Sequence, residues 1–353
     1  MNLASISINL IRANQADTGA YVASPTFPTY QYCWFRDGTY IAYAMSLVGQ
    51  HESAKRFYDW AALMVNQRAD VVERAIMAAP NRRPMPAELL DTRYTLDGAA
   101  GADDWPNFQL DGFGTLLWGM NAYIQQQQGS LPPAWRTATL LLARYLDALW
   151  QLPCYDCWEE FGDKIHTATL AALYGGFQSA ARLLQDDTYE TTAAQIKAFV
   201  LHNNVVGTTL NKFVGNMAVD ASLIHVAVPY GLLEPNDPLM QATVARIESD
   251  LCRPGGGVHR YVEDSYYGGG EWLLLTAYLG WYYVEAGDVA RAHELCNWVE
   301  AQADTQGHMP EQVAVHLNYP DKLVEWNQRW GTSANPLLWS HAAYLTLRTL
   351  LNL

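Results

Sequence analysis

The chain has 353 residues, half of them hydrophobic and 16% charged, which permits a sizeable core and excludes general disorder. Its formal net charge of −14 argues against nucleic acid and anionic membranes as partners, because both need clustered Lys and Arg. A neutral small molecule fits that balance better.

The N-terminal stretch MNLASISINLIRANQ has neither a basic n-region nor a long apolar h-region, so no signal peptide is expected. No stretch reaches the roughly 18 uncharged apolar residues that a membrane span requires. Cysteines at 33, 154, 157, 252 and 296 form an odd, sparse set, as in a reduced cytoplasmic protein. Cys154 and Cys157 make a CxxC pair, but no second pair and no βαβ pattern accompany it. No metal or other cofactor is expected.

Apolar residues recur at i, i+3, i+4 and i+7 through most of the chain, with no series of alternating strands. The pattern predicts helices over 3–14, 38–48, 51–69, 110–128, 132–149, 164–184, 188–202, 219–228, 237–252, 271–286, 288–303 and 335–351. Asp163 is the expected N-cap of the sixth, and Asn335 followed by Pro336 that of the twelfth. Links from even-numbered to odd-numbered helices are short and should make antiparallel hairpins. The links feeding even-numbered helices are mostly long and rich in Gly, Pro and aromatics, the usual character of functional loops. If the even-numbered helices run parallel inside a ring, these loops gather at one end. The expectation is one all-α domain over 1–353, a toroid of inner and outer helices with no linker.

The long loops carry the chemistry. Before the second helix, YQYCWFRDGTY holds Trp34, Arg36 and Asp37. Before the fourth, WPNFQLDG holds Trp105, Gln109 and Asp111. CWEEFGD, before the sixth, holds Trp158, Glu159 and Glu160. HRYVEDSYYGGGEW, before the tenth, holds Arg260, Tyr261, Glu263, Asp264 and Trp272, and GHMPEQV, before the twelfth, holds Glu311 and Gln312. Taken singly these are salt bridges, turns and solvated charges. Gathered at one end they make a pocket with flat apolar walls and many hydrogen-bonding groups, which suits a sugar.

WFRDG, WPNFQLDG, CWEEF, HRYVEDSYYGGGEW, MPEQV and NPLLWSHAAYL together resemble the ordered signature blocks of glycoside hydrolase family 15 from about Tyr32 to Tyr344. That family contains glucoamylases, glucodextranases, isomaltose glucohydrolases and some trehalases, and its fold is the (α/α)6 barrel. The resemblance implies that Glu159 is the general acid and Glu311 the general base of an inverting hydrolase. It further implies that Arg36 and Asp37 hold the terminal glucose, and that Trp34, Trp105, Gln109, Trp158, Glu160, Arg260, Tyr261 and Gln312 belong to the substrate site. Bacterial members commonly carry an N-terminal β-sandwich domain, which is not expected here because the first helix begins almost at Met1. Isomaltose-hydrolysing members can lack it, which points to a small α-1,6-linked glucoside.

Glycoside hydrolysis by inversion needs one protonated carboxyl and one carboxylate that activates water. The negative charge of Glu160 and the apolar wall of Trp158 should both disfavour ionisation of Glu159. The competing reading is a sugar epimerase or isomerase on the same toroid, acting through histidines.

Overall fold

The computed structural model describes residues 2–101 and 104–353. Its helices are α1 (Leu3–Ala13), α2 (Phe35–Leu47), α3 (His51–Asn66), α4 (Ala69–Ala78), α5 (Asp111–Gln127), α6 (Pro133–Leu149) and α7 (Thr167–Leu184). There follow α8 (Thr188–Asn203), a 3₁₀ segment (Ala221–Val226), α9 (Pro238–Leu251), α10 (Leu273–Ala286), α11 (Val289–Ala301), α12 (Pro320–Trp330) and α13 (Leu338–Leu350).

The ring closes in the order α2, α5, α7, the 3₁₀ segment, α10, α13 and back to α2, each packed on the next. These elements are buried on nearly every side; α10 runs from Leu273 to Tyr282 without an exposed residue. A helix apolar all round belongs inside. The outer layer is amphipathic: α1 lies on α13, α3 on α2, α6 on α3 and α7, α8 on α7, α9 beside the 3₁₀ segment, and α11 on α10. The architecture is an all-helical (α/α)6 barrel. Local sequence sets several boundaries. The Asn2 carboxamide accepts from the amides of Ala4 and Ser5, Asp237 caps α9 ahead of Pro238, and Gly287 ends α10 in the left-handed region.

Among the described residues, three antiparallel pairs of two-residue strands tie loops together: β1 (Cys33–Trp34) with β2 (Arg93–Tyr94), β3 (Val205–Val206) with β4 (Thr209–Leu210), and β5 (Glu271–Trp272) with β6 (Gln312–Val313). Among the described residues no helix is long and apolar enough to cross a membrane.

Several expected boundaries are corrected. The segment predicted over 219–228 is the six-residue 3₁₀ turn Ala221–Val226, and Pro229 has no amide to continue it. The sixth predicted helix begins at Thr167, three residues later than expected, because Lys164 and His166 make β-bridges to Cys154 and Phe213. Asp163 instead pairs with Lys164. The last helix begins at Leu338, because the amides of Leu337 and Leu338 are bonded to the carbonyls of Met309 and Ala23. The Asn335 carboxamide donates to Asp304 and caps nothing. Two helices escaped the sequence reading: α4, whose start lay inside the predicted 51–69 segment, and α12.

Candidate active site

The long loops precede the N-termini of the inner elements and line one cavity of about 550 Å³, within the usual range for small-molecule sites. Arg36 and Asp37 sit in the first turn of α2, and Asp111 in the first turn of α5. Carboxylates are favoured there by the helix dipole. Arg36 Nη1 donates to Gln109 Oε1 at 3.0 Å and to Asp111 Oδ2 at 3.1 Å, and its Nε lies 3.4 Å from Asp37 Oδ2. Burial pushes the Asp37 carboxyl up to about 6 against the attraction of Arg36.

Strand pairing of β1 with β2 sets Arg93 opposite Trp34. The Arg93 guanidinium stacks 3.6 Å from the Trp105 ring centre and so fixes that indole in the wall. Nothing in the sequence around Arg93 announces this role.

The turn from Asp156 to Phe161 presents Glu159. Glu159 and Phe161 have φ of 67° and 51°, uncommon for residues with side chains and costing on the order of 1–3 kcal/mol each. One oxygen, Asp156 Oδ1, accepts from the amides on both sides of Glu159, those of Trp158 at 3.0 Å and Glu160 at 2.9 Å. Asp156 is itself buried, and its carboxyl is pushed up to about 7 by burial, with Lys212 opposing. Lys212 Nζ lies 2.9 Å from Asp220 Oδ2, and both Asp220 oxygens accept from Trp158 Nε1 at 3.1 Å. A buried ionic cluster thus holds the turn from behind.

Glu159 Oε1 accepts from Trp34 Nε1 at 2.7 Å and from Gln109 Nε2 at 3.0 Å. The neighbouring Glu160 accepts from the Tyr261 hydroxyl at 2.5 Å and lies 3.5 Å from Arg260 Nη2. Arg260, shared with Asp264, thus offsets part of the Glu160 charge, an arrangement the sequence alone did not suggest. Arg260 is held by Asp264 in a two-point pair and sits 5.1–5.3 Å from the ring centres of Trp158, Tyr266 and Trp272.

Glu311 is fixed through its backbone. Its amide donates to Ala334 O at 2.8 Å, and β6 begins at the next residue, pairing with β5. Oε1 accepts from the Tyr30 hydroxyl at 3.0 Å, and Tyr30 in turn contacts the Tyr266 hydroxyl at 2.9 Å. Oε2 is buried without a hydrogen-bond partner among the described residues. Burial pushes the carboxyl up to about 7, while Tyr30 and Arg260 pull it down.

Of the residues singled out from sequence, Trp34, Arg36, Asp37, Trp105, Trp158, Glu159, Glu160, Arg260 and Glu311 all line this cavity. Gln109, Tyr261 and Gln312 do not. Gln109 bridges Arg36 and Glu159 from behind, and Tyr261 acts on Glu160. Gln312 spends its amide on backbone, accepting from Gly270 N and donating to Tyr266 O, so it secures the loop that carries Glu311. Glu263 is exposed, and Asp264 is occupied by Arg260. The sequence reading missed Tyr30, Tyr266 and Trp339, and the residues Trp326, Arg329 and Trp330 that α12 adds to the wall. A helical signal for α12 does exist: Pro320 opens a segment with Leu323, Trp326 and Trp330 on one face.

Residues 1–295 match the family described as "Glycosyl hydrolases family 15". Isomaltose glucohydrolase from Kribbella flavida is 41% identical over 354 residues, covering 98% of this chain and 91% of that protein. A solved glycosidase variant in complex with glucose is 40% identical, with a TM-score of 0.95 over 99% of this chain and 96% of that one. A bacterial glucoamylase complexed with acarbose shares the fold at 21% identity, with a TM-score of 0.76 over 98% of this chain and 55% of that one. With the family match and the relatives in agreement, the chain belongs to glycosyl hydrolases family 15 and is a glycoside hydrolase.

Proposed function

We propose that this enzyme is an exo-acting, inverting α-glucosidase that removes the non-reducing terminal glucose from isomaltose or a short isomaltooligosaccharide. The observation that carries the reading is the pair of glutamates in one cavity with contrasting surroundings. Glu159 has both of its donors on Oε1, leaving Oε2 to carry the proton that goes to the glycosidic oxygen. Glu311 has a donor on Oε1 and none on Oε2, leaving Oε2 to accept a proton from water. Water then attacks the anomeric carbon on the face opposite the leaving oxygen, the C–O bond breaks, and β-glucose and a shortened saccharide result. Arg36 and Asp37, both buried, are the groups suited to hold the hydroxyls of the terminal glucose and to close the inner end. The choice of isomaltose follows the similarity to the Kribbella flavida enzyme.

The test is a panel of isomaltose, maltose and trehalose followed by proton NMR before mutarotation. From isomaltose, an initial excess of β-glucose over the share contributed by the equilibrated reducing-end glucose is expected. An initial excess of α-glucose over that share would mean that Glu311 is no base for water, and preference for trehalose would replace the substrate assigned. Glu159→Gln and Glu311→Gln should each cost at least ~10² in kcat with sugar binding retained, since the amide keeps volume but cannot exchange the proton. No histidine is found among the described residues lining the cavity, which disfavours an epimerase; a rearranged disaccharide in the same spectra would revive it.

A further inference from the structure

We propose that α12 forms the leaving-group subsite, with Trp330 and Arg329 receiving the sugar that departs; this rests on the glucosidase reading above. The barrel does not explain why α12 is there. None of its residues is buried, and its main packing is against the segment around Tyr266–Gly268. Trp326 supplies that anchor, with its ring centre 4.8 Å from Tyr266 and 5.6 Å from Tyr267, and Tyr319 N bonds Gly268 O at 2.9 Å.

The remaining two side chains have no such duty. Trp330 is 41% exposed, yet it lines the cavity. Arg329 also lines it, with its guanidinium 5.5 Å from the Trp330 ring centre. In a chain with many more acidic than basic residues, Arg329 makes no hydrogen bond or ion pair among the described residues. A flat indole beside a guanidinium that touches aromatic rings but has no hydrogen-bond partner among the described residues offers what a pyranose needs, an apolar face and hydroxyl partners. Depth assigns the occupant. Arg36, Asp37 and Glu311 are buried, whereas Arg329 and Trp330 are exposed, so the glucose being cleaved lies inward and its leaving group lies against α12. The mouth is thereby fitted to a short saccharide leaving group.

The experiment compares two substrates on the unmodified enzyme and on Trp330→Ala, Arg329→Ala and the double variant. Isomaltose places a sugar against α12; α-glucosyl fluoride, whose leaving group is a single atom, places nothing there. Both positions are exposed, so unchanged melting temperatures are expected. For isomaltose, kcat/KM should fall at least tenfold, about 1.4 kcal/mol of transition-state binding, with the fluoride unchanged within about twofold. Equal losses on both substrates, or no loss on isomaltose, overturn the assignment. A wild-type enzyme that releases glucose from neither compound overturns the glucosidase reading, and this inference with it.

Discussion

As the proposed base, Glu311 would have to be ionised to draw a proton from water, yet burial holds its carboxyl up at about 7. The acid limb of kcat/KM is therefore expected near pH 7 and not near the ordinary glutamate value. Tyr30 donates to the charged form and favours it, so Tyr30→Phe should move that limb to higher pH and lower activity at pH 7. A limb that stays in place would show that Tyr30 does not act on Glu311. Asp156 is expected to act as a positioning residue, since it clamps the two amides that flank the strained Glu159. Asp156→Ala should cost roughly 10² in kcat with KM within about threefold, because a small displacement of a catalytic group is enough for such a loss. Asp156→Asn keeps an oxygen that can accept both amides and should recover most of it. Equal defects in the two variants, or losses explained by lowered melting temperature alone, would contradict the positioning role. The two glutamates proposed as acid and base stood out in the sequence because each sits in a compact motif. Tyr30, Arg93 and Asp156 were not, because what they touch is set by loops that meet only when the ring closes.

Among the elements, α5 and α7 come unusually near each other at facing glycines. A Cβ on Gly114 would stand 2.5 Å from Ala172 O, and one on Gly176 would stand 2.8 Å from the Gly114 Cα. Both obstacles are backbone and cannot swing aside. Gly114→Ala gains about 1 kcal/mol of helix propensity but meets overpacking of typically 1–3 kcal/mol, here at the upper end. A net loss of at least about 1 kcal/mol is expected, read as a lower denaturation midpoint at unchanged m-value. A midpoint equal to or above wild type would mean that the two helices can separate freely. Helical period and link lengths revealed the inner and outer layers, because burial on one face or on all faces leaves its mark in sequence. Element ends were less legible. Leu337 and Leu338 are held extended by the distant carbonyls of Met309 and Ala23, a tertiary constraint that outweighs the cap signal at Asn335. The charged composition of α12 hid its single apolar face, and that face has its partner in a loop far back in the chain.

Across the whole molecule, buried groups with opposite preferences define a pH window for stability. Glu311 and Asp156 at about 7 and Asp37 at about 6 keep protons in the folded state that the unfolded chain releases near pH 4. The folded state binds more protons over that interval, so these groups make stability fall as pH rises from about 4 to about 7. Burial holds His225 down at about 4 and His341 at about 3, and lowers His166 and His259 as well. Unfolded histidines take up protons near pH 6.5, so these groups make stability fall as pH drops below that value. The two slopes oppose one another between roughly pH 4.5 and 6.5 and leave a plateau there. Above it the histidines are neutral in both states while Glu311 and Asp156 still release protons, and the net charge of −14 adds self-repulsion. The melting temperature should therefore be highest at mildly acidic pH and should decline toward pH 8, although Glu311 must be ionised to work as the proposed base. Catalysis is thus expected to be favoured just above the pH at which the fold is strongest. Glu311→Gln separates the two demands. It removes a group raised from 4.5 to about 7, so it should stabilise the protein at pH 8 by up to about 3 kcal/mol and by little at pH 4.5. Thermal unfolding of both proteins at the two pH values gives the answer. If the variant is offset equally at pH 4.5 and pH 8, Glu311 does not carry a raised carboxyl in the folded enzyme, and the expected acid limb near pH 7 loses its cause.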